Sequence, residues 1–415
     1  MTRVKEVHNC RVCDSKDLYT FLDLGLLPIP NGFLDKEDLS KEEKTYPLVV
    51  AYCRSCSLTQ VKYIVNPEIM FKNYLYIPSA SQTRLDNFRG LLNDARKRIS
   101  IDSSSLAVDI GSNDGSLLSV FKNEGIPVLG IDPAENLVKV ATLNGIPTML
   151  GYFGVEMAKK AKKERGQADV AYATNVFAHI SDIKEFLGGL EVLLKPNGIF
   201  ISQFPYIVDL LRENQFDTIY HEHLSYFSIK SLLVLASSTG MEIFDIEHSE
   251  LDGGSVKVYW KMKTNMSQNI IQKNIDAFLK NEEELGLYTD KIYDEFAKRV
   301  KGLKKTVKKE LLLLKKAKKR IVGYGAAAKG NIMLNYFGIG TDILDYLVDS
   351  TLYKQGKFTP GTHIPIYAES KIMETMPDYV LILAWNFKKE IIKKNDAYTR
   401  KGGKYIVAIP SLETI

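Results

Sequence analysis

Three of the six histidines in the 415-residue chain lie in two short stretches, Thr174–His179 and Phe216–Ser228. In the second, Tyr220-His221-Glu222-His223 places two imidazoles two positions apart with a carboxylate between them. On extended chain His221 and His223 share a face and Glu222 points the other way. A neutral imidazole beside Tyr and Glu is a general base near neutral pH. The Glu would orient the ring or stabilise its cation. Metal binding by the two histidines is the weaker reading, since no third ligand stands nearby. A hydrogen-bonded loop before a helix capped by Ser228 is the structural alternative.

All four cysteines sit in two pairs, Cys10-Arg11-Val12-Cys13 and Cys53-Arg54-Ser55-Cys56. A C-x-x-C turn places two thiolates on one side of a metal, and two turns complete a tetrahedron. The pattern predicts Zn2+ bound by Cys10, Cys13, Cys53 and Cys56. Metal-free thiols and an iron–sulfur cluster are the alternatives. No histidine or open position joins the set, so the metal is expected to be structural. The insert between the knuckles, with Pro28, Pro30 and Asn31-Gly32, reads as turns and extended chain.

Two glycine loops complete the chemistry. Val108-Asp109-Ile110-Gly111-Ser112-Asn113-Asp114-Gly115 follows a buried-looking strand and opens a helix. Asp132 ends the next strand, where an acid accepts hydrogen bonds from two ribose hydroxyls. No Lys-Ser/Thr pair closes the loop, so it is not a P-loop. Asn113 replaces the second glycine of a dinucleotide fingerprint. Polar atoms at Asn113 and Asp114 suit a zwitterionic amino acid better than a pyrophosphate, which points to S-adenosylmethionine (SAM). The second loop, Gly323-Tyr324-Gly325-Ala326-Ala327-Ala328-Lys329-Gly330-Asn331, leads into a helix whose N-terminus attracts phosphate. Lys329 adds a positive charge, and Asp349 ends the following strand. A nucleotide diphosphate anchor is the preferred reading. A dinucleotide cofactor, with Asp349 on a ribose, is the rival.

These residues need a parallel sheet to hold them. Strands at Leu106–Ile110, Val128–Ile131, Ala168–Ala173 and Gly198–Gln203 alternate with helices, the pattern of a doubly wound α/β unit. Met241–Glu247 and Ser255–Lys261, joined by Asp252-Gly253-Gly254, read as an antiparallel edge hairpin. Ligands in such sheets sit beyond the C-terminal strand ends. That rim gathers Gly111–Gly115, Asp132, Asn175, His179 and Gln203. Residues 264–320 read as helical, with an apolar face at Val300, Leu303, Val307, Leu311 and Leu314 and lysines opposite. Strands at Arg320–Val322, Ile343–Val348, Tyr379–Leu383 and Tyr405–Ala408 build a second, smaller parallel sheet. Between the zinc knuckles and the first sheet, the hydroxyl-rich run 73–83 is either a linker, with Ser81 or Thr83 capping the next helix, or part of the site.

Length predicts two or three domains. A net charge of +5 is too small to argue for nucleic acid or an anionic membrane by itself. A solvated helix face explains the lysine-rich helix better than a nucleic-acid patch does. The N-terminus lacks an apolar signal-peptide core, and no stretch is long and apolar enough to span a bilayer. Paired cysteines of this kind read as metal ligands in a cytosolic enzyme, so a cytoplasmic location is expected.

Taken together, the chain resembles the zinc-containing, SAM-dependent sugar C-methyltransferases that act on nucleotide-linked 4-keto-deoxysugars. The matching pieces are the two C-x-x-C knuckles, V-D-I-G-S-N-D-G at Val108–Gly115, T-N-V-F-A-H at Thr174–His179, Y-H-E-H at Tyr220–His223 and G-Y-G-A-A-A-K-G-N at Gly323–Asn331. The resemblance implies an α/β protein of three domains. These are a small zinc-binding domain (1–72), a central Rossmann-like class I SAM methyltransferase domain (73–264) and a second Rossmann-like domain that anchors the nucleotide-sugar (265–415).

The resemblance also implies roles. His223 is the base, with His221 the second candidate. Tyr220, Glu222, His179 and Tyr74 surround it. Asp109, Gly111, Asn113, Asp114, Gly115, Asp132, Asn175 and Gln203 hold SAM. Tyr76, Gly323, Gly325, Lys329, Asn331 and Asp349 hold the substrate. His221 departs from the family's amino-sugar enzymes, which place an Asp there. The expected reaction is C3 methylation through an enolate in a monomeric enzyme, without nucleic-acid or membrane partners. The rivals are an NAD-dependent nucleotide-sugar oxidoreductase and a zinc-bearing nucleic-acid methyltransferase.

Overall fold

The structure is a computed structural model that describes residues 4–71 and 81–415; Tyr74 and Tyr76 lie outside the described residues. The N-terminal module contains β1 (Val4–Glu6), β2 (Leu18–Pro28), β3 (Thr45–Cys53), β4 (Thr59–Val61) and β5 (Tyr63–Val65). The insert between the knuckles is therefore more regular than expected. β2 and β3 form a long antiparallel ladder from Leu18↔Cys53 to Pro28↔Thr45, bent by two register shifts. Leu22, Leu24 and Leu27 on β2 and Leu48 and Val50 on β3 are buried against the rest of the protein.

The middle of the chain adds β6 (Ala107–Ile110), β7 (Val128–Asp132), β8 (Thr148–Leu150), β9 (Ala168–Thr174), β10 (Leu194–Pro205), β11 (Ser225–Tyr226), β12 (Met241–Ser249) and β13 (Ser255–Met262). Seven of these form one sheet in the order β12-β13-β10-β9-β6-β7-β8. β13 is antiparallel to both of its neighbours, and the other pairs are parallel. All four residues of β6 are buried, as expected of a parallel strand covered on both faces. Phe88, Leu91, Phe121 and Tyr172 fill one face. The other face joins a connected apolar cluster that runs into the N-terminal module and the C-terminal sheet.

β11 leaves this sheet. It pairs with β4, Ser225 against Gln60 and Tyr226 against Thr59, extending the N-terminal sheet to β11-β4-β3-β2. The chain just after Tyr220–His223 is thereby stitched into the zinc module.

Helices Gln272–Glu284 and Asp290–Lys316 follow. Val300, Val307 and Leu311 of the second are buried, while Lys301 and Lys305 face outward. The C-terminal part has β14 (Ile321–Tyr324), β15 (Leu347–Val348), β16 (Ile366–Tyr367), β17 (Tyr379–Ile382), β18 (Lys404–Val407) and β19 (Glu413–Thr414), in the order β16-β15-β14-β17-β18-β19. Only β19 is antiparallel. The expected strand at Ile343–Val348 is shorter. Ile343 and Leu344 are buried in the turn that leads into it. Among the described residues no helix is long and apolar enough to cross a membrane.

Candidate active site

The zinc knuckles are near copies of each other. Asp14 N donates to Cys10 O and Ser57 N donates to Cys53 O, and both Asp14 and Ser57 take the left-handed backbone that closes the turn. The four Sγ atoms lie within 4.8 Å of one another, with Cys10–Cys56 at 3.5 Å and Cys13–Cys53 at 3.6 Å. A tetrahedral zinc with Zn–S near 2.3 Å asks for S···S of about 3.8 Å, so the donor set fits the ion. With four thiolates and no open position, the ion is structural.

The module also holds the two histidine-bearing stretches. Asn31 Nδ2 donates to Glu222 Oε1 at 2.7 Å, and His221 Nε2 donates to Tyr46 O at 3.2 Å. From the first knuckle, Arg11 donates to Ile180 O (2.6 Å) and Ser181 O (2.8 Å), directly after His179. Burial lowers the Arg11 pKa to about 10, which leaves it charged at neutral pH. Leu224 N donates to Ala178 O and Val61 N to Leu224 O, so the two histidine-bearing stretches and β4 form one bonded unit.

Inside this unit the His179 and His223 rings are 4.9 Å apart, and Tyr220 lies over His223 at 3.9 Å. His223 Nδ1 sits 2.8 Å from Thr218 O. A carbonyl can only accept, so Nδ1 carries the proton and Nε2 keeps its lone pair. Burial first, and the neighbouring His179 next, hold His223 well below the ordinary histidine range; burial alone takes His179 to about 4. Both rings are therefore neutral at physiological pH.

The first glycine loop forms the opposite wall. Gly111 has φ +71°, and a Cβ there would collide with Val176. Asp132 accepts from Asn113 N (2.9 Å) and Ala134 N (2.8 Å), which aims its carboxylate at the loop. Asp109 lines the same wall, and its buried Oδ1 has no hydrogen-bond partner among the described residues. Its carboxyl pKa is pushed well up by burial, then by Asp132 and Asp114. An acceptor left open beneath a glycine cradle, next to an acid placed for a ribose, fits SAM. Asp114 also lines the wall, with Oδ1 accepting from Ser116 N and Oγ to start the following helix.

A single cavity of about 760 Å³ joins this wall to His179, Tyr220 and His223 and continues to Gly325, Lys329 and Asp349 of the C-terminal part. Several expected site residues are absent from its lining. His221 is turned to Tyr46, and Glu222 accepts from Asn31. Gln203 is buried against Asn87 and Ser249. Gly115 faces Ile146 and Gly323 faces Leu347, where side chains would have no room. Asn331 donates to Pro30 O at 2.7 Å, fastening the C-terminal helix to the zinc module.

Two lining residues, Arg84 and Asp252, carry no functional signal in the sequence. Arg84 pairs with Asp252 (2.7 Å), which also accepts from Asn175 Nδ2 (3.0 Å). Lys329 Nζ donates to Asp252 O (3.1 Å) and lies 4.8 Å from the Trp385 ring. Trp385 in turn donates to Asp217 Oδ2 (2.8 Å). The sequence marks Asp252-Gly253-Gly254 as a turn and nothing in it shows what the turn touches.

Five parallel strands, an antiparallel strand inserted between them and the edge strand, a glycine loop and an acid at the second strand end define a SAM-dependent methyltransferase. Family profiles cover the chain in succession: "Putative zinc binding domain" over 10–71, "Methyltransferase domain" over 84–246 and "C-methyltransferase C-terminal domain" over 250–410. The C-methyltransferase NovU of Streptomyces niveus is 34% identical over 412 residues, 99% of this chain and 98% of its own length. A ubiquinone biosynthesis O-methyltransferase of Rhodopseudomonas palustris (strain HaA2) is 32% identical over 107 residues, 25% of this chain and 42% of its own. The solved SAM-dependent methyltransferase of Archaeoglobus fulgidus, 15% identical, covers 43% of this chain and 94% of its own with a TM-score of 0.35. The chain belongs to the C-methyltransferase family that includes NovU, and it is a SAM-dependent C-methyltransferase with a structural zinc site.

Proposed function

We propose that the enzyme methylates a ring carbon, C3 in our reading, of a nucleotide-linked 4-keto-deoxysugar. The observation that carries the proposal is the continuous cavity whose lining neutral His223, with His179 and Tyr220 against it, shares with the SAM wall and Lys329. A 4-ketone acidifies the protons on the carbons beside it. His223 Nε2 takes one of these protons, leaving an enolate. The protonated ring then carries two N–H groups, with Nδ1 already committed to Thr218 O. Tyr220, which lies over the His223 ring, is read as the donor to the enolate oxygen, the kind of fixed dipole that stabilises developing charge. Bound SAM supplies an electrophilic methyl on a sulfonium, and the products are the methylated ketone and S-adenosylhomocysteine. Most of the catalytic advantage lies in holding two large ligands together in one enclosed space.

The lysine-rich helix supports this reading over a nucleic-acid substrate. Its Lys301, Lys304 and Lys308 line a separate groove with Leu312 and Tyr336, not the catalytic cavity. The C-terminal loop differs from the SAM wall in one respect that disfavours the NAD reading. Asp349, like Asp132, accepts two backbone N–H groups, here from Ala326 and Thr351, but the Lys354 ammonium also lies 3.7 Å from its carboxylate. The Gly325–Lys329 segment is read instead as the seat of the nucleotide's phosphates.

Two measurements test the proposal. Mass spectrometry and NMR of products from a panel of nucleotide-4-keto-sugars should show one added methyl on C3. A methyl on oxygen overturns the chemistry, and one on C5 overturns the position. His223→Gln should abolish proton–deuterium exchange beside the ketone while SAM still binds. Persisting exchange removes His223 from the role of base.

A further inference from the structure

The helix Gln82–Arg96 begins at the cavity wall, and three groups there are not used by the chemistry above. Its first turn contains no acidic residue, so its N-terminal N–H groups and partial positive charge are not answered from within the helix. Ser81, at the N-cap position, makes no side-chain capping bond. Its buried Oγ has no hydrogen-bond partner among the described residues. Arg84, one turn on, is 8% exposed and still lines the cavity.

Across the seam, Lys329 reaches the same residue that Arg84 pairs with, Asp252. Its acceptor is the main-chain carbonyl of Asp252, with the Trp385 ring alongside, and no ion pair to a carboxylate forms among the described residues. The nearby Asp217 carboxylate is engaged by Trp385 Nε1. Asp252 thus holds both cations, Arg84 by its carboxylate and Lys329 by its carbonyl. It does so from left-handed backbone (φ +60°), a conformation that costs a non-glycine residue free energy.

We propose that Ser81, Arg84 and Lys329 form an oxyanion seat at the domain seam, with Arg84 a further ligand-binding residue and Asp252 the positioning residue that aims it. A guanidinium and an ammonium, both held by Asp252 in the cavity lining, match the oxygens of a carboxylate or a diphosphate. Two sources bring such a group into this cavity: the α-carboxylate of SAM and the diphosphate of the sugar nucleotide. The diphosphate source rests on the nucleotide-sugar reading; the carboxylate source does not.

The test uses the full-length double variant Arg84→Gln/Asp252→Asn, which removes one charge of each sign and leaves the net charge of the site unchanged. Calorimetric titrations compare S-adenosylhomocysteine with its decarboxylated analogue, and a panel of nucleoside diphosphates with the parent nucleosides. The seat predicts at least a tenfold loss of affinity for one oxyanion-bearing ligand and less than threefold for the matching ligand that lacks the group. The ligand that loses affinity identifies the source. Equal affinities of wild type and variant for all four ligand types overturn the proposal and make Arg84–Asp252 a structural ion pair. If the double variant does not fold, Arg84→Lys keeps the charge and its pair but removes the fork. The same selective loss is then expected, and its absence overturns the proposal. A wild type that binds no nucleoside diphosphate overturns the nucleotide-sugar reading, and the S-adenosylhomocysteine arm still decides the role of Arg84.

Discussion

Replacing His221 by glutamine separates the work of the two histidines in Tyr220–His223. His221 is fully buried, donates Nε2–H to Tyr46 O, and is held by burial at a pKa of about 4. In an unfolded chain the ring titrates near 6.5. Above that pH both states are neutral, and His221 adds no pH dependence. From about pH 6.5 down to about pH 4 the unfolded chain binds a proton that the folded chain excludes, so stability falls as the pH falls. The slope is about 1.36 kcal/mol per pH unit, or roughly 2 kcal/mol between pH 6.5 and pH 5. Glutamine can still offer an N–H to Tyr46 O and cannot titrate. It gives up the ring's edge contact with Tyr46, worth about 1 kcal/mol. The variant should therefore be about 1 kcal/mol less stable than wild type near pH 7.5 and about 1 kcal/mol more stable near pH 5.

Urea midpoints across this pH range, compared at a common m-value, measure the difference. Taking the difference cancels other titrating groups, among them Asp217, whose carboxyl is raised to about 6 by burial and acts in the opposite sense. Hydrogen exchange beside the ketone should continue at close to the wild-type rate. A stability gap that does not close as the pH falls refutes the buried neutral imidazole. Exchange lost in a fully folded variant refutes the placement of His221 outside the reaction.

Two further outcomes follow from the same geometry. Gly111→Ala forces a Cβ against Val176 at a left-handed backbone position, and a cost of about 1–2 kcal/mol at the SAM wall corresponds to a five- to thirtyfold loss of SAM affinity; equilibrium binding measures it, and unchanged affinity would remove Gly111 from the SAM wall. Stripping the zinc with a strong chelator should leave SAM binding in place, because the Gly111–Asp132 wall belongs to the central sheet. It should abolish substrate exchange, because the His179 and His223 stretches hang on Arg11, Tyr46 and β4. Full exchange in metal-free protein would show that the module does not hold those stretches.

Much of the plan is legible in residue order alone. Hydrophobic strands alternating with helices read as two parallel sheets because covering a sheet on both faces demands continuous apolar strands. The four cysteines read as one site because C-x-x-C geometry is local and nothing else in the chain competes for the metal. Asp109, Gly111, Asn113 and Asp132 read as a SAM wall because a strand, a tight loop and the next strand end are close in sequence. Thr148–Leu150 and the β2–β3 ladder went unseen, since short strands and ones that alternate irregularly carry a weak periodic signal.

What the chain order by itself determined was therefore everything built from local spacing: the zinc knuckles, the glycine loops and the histidine-bearing stretches. Only the tertiary structure decided which atoms of those motifs meet. It put His223 and not His221 in the cavity lining: Thr218 O holds one ring there, while Tyr46 O, 175 positions away from His221, turns the other into the zinc module. It gave Glu222, Gln203 and Asn331 described partners away from the cavity lining, among them Asn31, Asn87 and Pro30. It also brought Arg84, Asp252 and Lys329 together, three residues from separate parts of the chain that no spacing rule connects. The reason is physical: periodicity constrains which face of an element is buried, whereas the hydrogen-bond partner of a buried polar atom is set by whatever long-range packing places beside it.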